Sequence, residues 1–234
     1  MNDKLIGFVL AVNDYKDSDT IARVITKEYG ILSLIGKSAK KLNAKNRMMP
    51  LCTYEFIIDY KDGKDIYSTH SLRLLSSYYD ERDLKLLSFK NIIAEAVLKS
   101  QELFEPRLYD ETLFFYSHFN QKDLFILGSL FFSYLLKLYG ISPHVDSCSI
   151  CGNEKVVAIS ASKGGFLCHN HLGGEKVQDV LALKKFRLAV KGSIDYYDII
   201  KKTAYQEADF FNLADFFIAN AEIGLRSYIF YRSI

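Results

Sequence analysis

The spacing of apolar residues changes once along this chain, near residue 80, and that change sets the order of its parts. Before it, β-rich runs are separated by turns: Lys4 to Val12, Thr20 to Thr26, Gly30 to Ile35, Leu51 to Tyr60 and, after the turn at Lys61-Asp-Gly63-Lys64, Asp65 to Leu72. Five short strands suit a small closed barrel, and the five-stranded oligonucleotide-binding (OB) barrel is a common solution of that size. After the change, Leu86, Phe89, Ile93 and Ala96 recur at helical spacing in a run predicted to reach Glu105 and stop at Pro106. Further helices are predicted over 111–119, 123–139, 177–190 and 207–231. The expected class is α+β: an N-terminal OB-fold barrel over residues 1–79, then an all-helical domain over 80–234 that carries a zinc-finger-like segment at 148–171.

That segment reads Cys148-Ser-Ile-Cys151 and then Cys168-His-Asn-His171, a C-x2-C-x16-C-x2-H pattern. Each short pair can bend around one cation, and the longer stretch brings the chain back to close a tetrahedral site. Thiolate and imidazole donors suit zinc, and four protein ligands leave no open position for water, so the expected role is structural. Gly152, Gly164 and Gly165 supply the permissive backbone that such turns need. His169 is a rival fourth ligand, but it adjoins Cys168, whereas His171 repeats the spacing of the first pair.

A hydrophobic fraction of 49% with 25% charged residues is that of a soluble globular protein. The N-terminus lacks the basic and apolar parts of a secretion signal, and reduced metal-binding cysteines agree with a cytoplasmic location. The run from Leu124 to Tyr139 is apolar almost all round but shorter than a membrane span and interrupted by Lys137, which predicts a buried central helix and no membrane association.

The net charge of +2 conceals a local excess. No acidic residue occurs between Glu28 and Glu55, and Lys37, Lys40, Lys41, Lys45 and Arg47 crowd together there. A mobile cationic connection between the third and fourth strands suits phosphate oxygens and counterion release from nucleic acid. Lys184, Arg187 and Lys191 form a second candidate patch on a helix face, and Tyr15, Tyr29, Tyr54 and Tyr60 are candidates for base stacking.

Catalysis finds no support: G-x-S-x-G, H-E-x-x-H, a dinucleotide glycine fingerprint and the H-x-E of zinc deaminases are all absent. Cys52 lies in an apolar strand, the setting of an inert core thiol. No enzyme is expected.

The order of parts resembles the RecO family of bacterial recombination mediators. Gly7-Phe-Val-Leu10 with Tyr15, Asp17 and Asp19, then Val24-Ile-Thr26-Lys-Glu-Tyr-Gly30, is similar to the family's first barrel strands. Gly36-Lys37-Ser-Ala-Lys40-Lys41 resembles its basic segment, and Tyr134-Leu-Leu-Lys-Leu-Tyr-Gly140-Ile-Ser-Pro143, Cys148-Ser-Ile-Cys151-Gly152 and Gly164-Gly165-Phe-Leu-Cys168 resemble its helix, zinc segment and hairpin. Ser38 stands where the family often has glycine, and His171 where cysteine is common. The resemblance implies a non-enzymatic protein that binds single- and double-stranded DNA, anneals complementary strands, associates with RecR and the single-stranded-DNA-binding protein, and helps to load RecA. The competing reading is a zinc-stabilised protein-interaction scaffold whose barrel binds a peptide.

Overall fold

The structure is a computed structural model that describes residues 3–61, 63–79 and 82–234. Met1 and Asn2, Asp62 of the expected turn, and Asp80 and Glu81 at the expected start of the helical domain lie outside them.

Five strands, β1 (Asp3–Tyr15), β2 (Asp19–Thr26), β3 (Gly30–Gly36), β4 (Cys52–Ile58) and β5 (Ile66–Ser77), close into a barrel in the order β1-β2-β3-β5-β4. Every adjacent pair is antiparallel except β3 and β5. Alternation along β3 turns Leu32 and Leu34 inward, where they join Val9, Val24, Phe56 and Ile58 in one apolar core. Burying each such side chain contributes about 1.5–3 kcal/mol. The register places Thr20 opposite Gly36 and Thr26 opposite Gly30. One end of the barrel therefore carries the β1–β2 turn and the long connection 37–51, and the other carries the β2–β3 turn and the β4–β5 connection.

By contacts the chain forms two compact units, and their division does not coincide with the switch from strands to helices. The first runs to Ser117 and takes in Leu225–Ile234, and the second is His118–Gly224. In the first, β1 is buried on both faces over residues 7–10, where Phe8 points out of the barrel to meet Tyr116 with ring centroids 4.4 Å apart. Tyr116 lies on α2 (Pro106–His118). The helix before it, α1 (Leu84–Lys99), starts where Asp83 accepts the Leu86 amide and ends at Ser100, short of the expected Glu105. Pro106 starts α2 instead of stopping α1, since proline's missing N–H costs nothing in a first helical turn. The Glu95 carboxylate of α1 accepts the backbone amides of Arg226 and Ser227 at 3.0 and 2.8 Å, capping α7 (Arg226–Tyr231) from a neighbouring helix.

In the second unit, α3 (Leu124–Leu138) buries twelve of its fifteen residues. It packs with α4 (Val180–Lys191) and α6 (Glu207–Ala221), and the short α5 (Tyr197–Ile200) lies between those two in sequence. The charge that interrupts α3's apolar run is used: Lys137 Nζ donates to the Gly192 carbonyl at 2.7 Å, satisfying the C-terminal end of α4. No helix among the described residues is long and apolar enough to cross a membrane. The predicted helix over 207–231 is two helices, because Glu222 adopts a left-handed conformation (φ 55°) and ends α6. Lys185 of α4 and Asp209 of α6 form a buried ion pair at 2.8 Å, and Asp209 also accepts the Gln206 amide at 2.7 Å.

Candidate nucleic-acid interface and metal cluster

The basic stretch lies in residues 37–51, and its fold follows from a few anchors. Asp19 accepts the Ser38 amide at 2.7 Å, and Ser38 itself takes a positive φ of 54°. That amide, helped by the Ser18 hydroxyl and the nearby Lys16 and Lys37, holds the Asp19 carboxyl below the usual range against the opposing effect of desolvation. Ala39 and Met48 are buried, 1% and 2% exposed, and tie the connection to the barrel. Gly36 is needed where the strand leaves, because a Cβ there would sit 2.6 Å from the Asn46 carbonyl oxygen. The connection is thus anchored to the barrel at Ala39 and Met48.

The five basic residues divide by partner. Lys40 Nζ meets the Asp14 carboxylate at 3.1 Å and the Lys16 carbonyl at 3.2 Å. Arg47 spans the connection, donating to the carbonyls of Ala39 and Lys41, each at 3.1 Å. Lys37, Lys41 and Lys45 are exposed, and their ammonium groups have no hydrogen bond or ion pair among the described residues. Three of the five charges are therefore available to a ligand, and two shape the loop that presents them. Asp14 belongs to no local motif and Asp19 only to the opening strand pattern; the proximity of both to the loop comes from the barrel register.

In the second candidate patch, Arg187 and Lys191 share one acidic partner, and Lys184 has none among the described residues. Arg187 and Lys191 both reach the Asp146 carboxylate at 2.8 Å, and together hold its pKa at about 2. Of the candidate stacking residues, Tyr54 is overturned: it is 3% exposed, and its hydroxyl accepts the Met49 amide at 3.1 Å inside the barrel. Cys52 is likewise a core residue, with Sγ 3.3 Å from the Ser77 hydroxyl.

In the second unit, a hairpin of β6 (Val156–Ser160) and β7 (Gly165–Cys168) brings the two halves of the cysteine pattern together. The Gly152 amide donates to the Cys148 carbonyl, and the Cys148 amide donates to the Asn153 carbonyl, each at 2.9 Å, folding the first pair into a tight turn. Cys168 ends β7, and a 3-10 turn over His169–His171 swings the last residue inward. The donor atoms of Cys148, Cys151, Cys168 and His171 all lie within 4.8 Å of one another. His169 is exposed and lies outside this set.

Their spacing fits a metal ion. Cys151 and Cys168 Sγ are 3.7 Å apart, and His171 Nδ1 is 3.6 Å from Cys148 Sγ and 3.4 Å from Cys168 Sγ. Tetrahedral bonds of about 2.3 Å to sulfur and about 2.0–2.1 Å to nitrogen would give edges of about 3.8 Å and about 3.6 Å. Burial pushes the Cys148 thiol up, but the amides of Cys168, Ile150 and Cys151 and the His171 ring outweigh it, bringing the group down to about 6. A thiolate is the form that binds metal.

Gly165 locks the hairpin to the chain before the first cysteine. Its φ is 153°, and a Cβ there would lie 2.2 Å from the His144 carbonyl oxygen. The His144 amide donates to Gly164 and the Phe166 amide to His144, each at 2.9 Å. Gly165→Ala is expected to lower the second unit's stability by about 1–3 kcal/mol and weaken metal retention. Thermal unfolding compared with Gly174→Ala, where a Cβ would meet nothing within 4 Å, separates the close approach from backbone preference alone.

The chain thus combines a closed five-stranded barrel with a helical part whose hairpin carries a Cys3His cluster that could hold a metal ion. Comparison with known proteins is specific. Residues 1–78 match the family model Recombination protein O N terminal, and residues 72–191 match Recombination protein O C terminal. A DNA repair protein RecO from Caldanaerobacter subterraneus subsp. tengcongensis is 30% identical over 175 residues, covering 70% of this chain and 69% of that protein. DNA repair protein RecO of Bacillus cytotoxicus and that of Bacillus mycoides are each 28% identical over 219 residues, covering 86% of this chain and 87% of theirs. The chain belongs to the RecO family of DNA repair proteins.

Proposed function

We propose that this protein is a recombination mediator that binds DNA through the 37–51 connection, anneals complementary single strands, and helps RecA loading together with RecR and the single-stranded-DNA-binding protein. What supports DNA binding most directly is the presentation of Lys37, Lys41 and Lys45 on an acid-free connection of a closed barrel in a RecO-family chain. Each ammonium that meets a phosphate releases a counterion, so binding is driven by the entropy of the released ions and is independent of sequence. With phosphate charge neutralised, two strands approach with less repulsion and complementary bases can meet. The partners RecR and the single-stranded-DNA-binding protein rest on family membership.

The Cys148, Cys151, Cys168 and His171 cluster holds zinc in this reading, supported by its donor set and edge lengths. Bound zinc would join the first turn to the hairpin and supply folding energy without reaching substrate. No residue of the chain is assigned a catalytic role.

The test is titration of unrelated single- and double-stranded oligonucleotides across salt, with and without RecR. Affinities that hardly depend on sequence and fall steeply with salt are the expected result. Absence of DNA binding at low salt would leave the peptide-binding scaffold as the better account.

A further inference from the structure

The barrel end opposite the basic connection carries an aromatic ladder. Tyr29, in the β2–β3 turn, lies 4.3 Å from Tyr60 between ring centroids, and Tyr60 stacks on Tyr67 at 5.2 Å with 9° between planes. Tyr67 is buried, its hydroxyl held by the Lys61 carbonyl at 3.1 Å. The outermost ring, Tyr29, is 40% exposed. It borders a cavity of 360 Å³ lined by Lys4, Leu5, Ile6, Glu28 and Tyr29, a volume within the roughly 300–1,000 Å³ of ligand pockets. Ile6 is 45% exposed on the same wall.

We propose that Tyr29 and this cavity receive an unpaired nucleobase of a single strand whose backbone is held at the 37–51 connection. The proposal rests on the DNA-binding reading above and adds a second, uncharged contact. An aromatic face beside aliphatic side chains suits the flat apolar surface that every base offers. Lys4, which also lines the cavity, is already paired with Glu55 at 2.8 Å, and Glu28 stands at the cavity, so the site favours a neutral base over a phosphate. The ladder behind Tyr29 fixes the ring, so little is lost in ordering it. β2 has eight residues, which separates the two ends of the barrel by about 23 Å. That span fits within the roughly 4–16 nucleotides that one such barrel covers.

The experiment compares Tyr29→Ala, Tyr29→Phe and the unaltered protein. Tyr29→Ala is expected to weaken binding of a long single strand by roughly 5- to 150-fold, without changing the slope of log affinity against log salt. Tyr29→Phe should bind as the unaltered protein does, and neither variant should change affinity for a blunt duplex, whose bases are not free. A single strand carrying 5-iododeoxyuridine should crosslink at Tyr29, read by peptide mass spectrometry. If the unaltered protein binds no DNA, the broader reading fails. If it binds DNA but Tyr29→Ala matches it, or loses duplex and single-strand affinity equally, or no crosslink maps to the cavity, this inference fails alone. A Tyr29→Ala defect confined to a protein partner would assign the cavity to that partner's side chain and overturn the proposal.

Discussion

Cys168→Ser is expected to strip the protein of its metal and unfold the hairpin of the second unit, because Cys168 is at once a cluster donor and the last residue of β7. The apparent binding energy of structural zinc in small fingers is about 10–16 kcal/mol, comparable with the whole stability of a domain, about 5–15 kcal/mol. Losing most of it should lower the thermal midpoint by more than about 10 °C and make the region from 144 to 175 readily cleaved by protease. Metal analysis should fall from one zinc per chain to well below it. His171→Ala should behave similarly, His171→Cys should retain metal because thiolate is also a zinc donor, and His169→Ala should retain it because His169 lies outside the cluster. Chelation of the unaltered protein should reproduce the Cys168→Ser phenotype. Stoichiometric zinc in Cys168→Ser would show that the metal is held elsewhere.

Replacing Lys37, Lys41 and Lys45 together with alanine should produce the largest loss of DNA affinity. Each single-strand phosphate contact contributes about 0.7 to the slope of log affinity against log salt, so three lost contacts reduce that slope by roughly two. The same change corresponds to about 100-fold weaker binding at about 0.1 M salt, shrinking toward none near 1 M. Exposed side chains without partners contribute little to stability, so the folded state should be unaffected within about 0.5 kcal/mol. Lys40→Ala and Arg47→Ala test something different. Removing Lys40 frees Asp14, and removing Arg47 releases the carbonyls of Ala39 and Lys41, so a defect in either variant would mix lost charge with altered loop shape. An unchanged salt slope in the triple variant would move the phosphate contacts away from this connection.

Much of the architecture was legible because periodicity is a local property. The five strands were placed to within a few residues, although β1 and β5 run further than their apolar runs suggest. The same holds for the metal cluster, whose spacing is a statement about how short turns fold around one cation. Charge was legible too, since an acid-free stretch with five basic residues can be read directly along the chain.

Partnership was not. Nothing local distinguishes Lys40 and Arg47 from Lys37, Lys41 and Lys45. The pairing of β1 with β2 brings Asp14 and Lys16 beside Lys40, and the return of the chain at Met48 sets Arg47 across the connection. Tyr29 and Tyr54 also look alike in sequence, yet one lines an open cavity and the other fills the barrel. The choice of His171 over His169, and the grouping of α7 with α1 and the barrel, depend in the same way on where a turn swings the chain or which helix caps another. The sequence by itself determined the order of strands and helices, the cysteines of the candidate metal cluster and the location of the positive charge, because each is encoded in neighbouring residues. Only the tertiary structure decided which charges remain free and which rings face solvent, because both depend on contacts between residues that strand register and helix packing bring together.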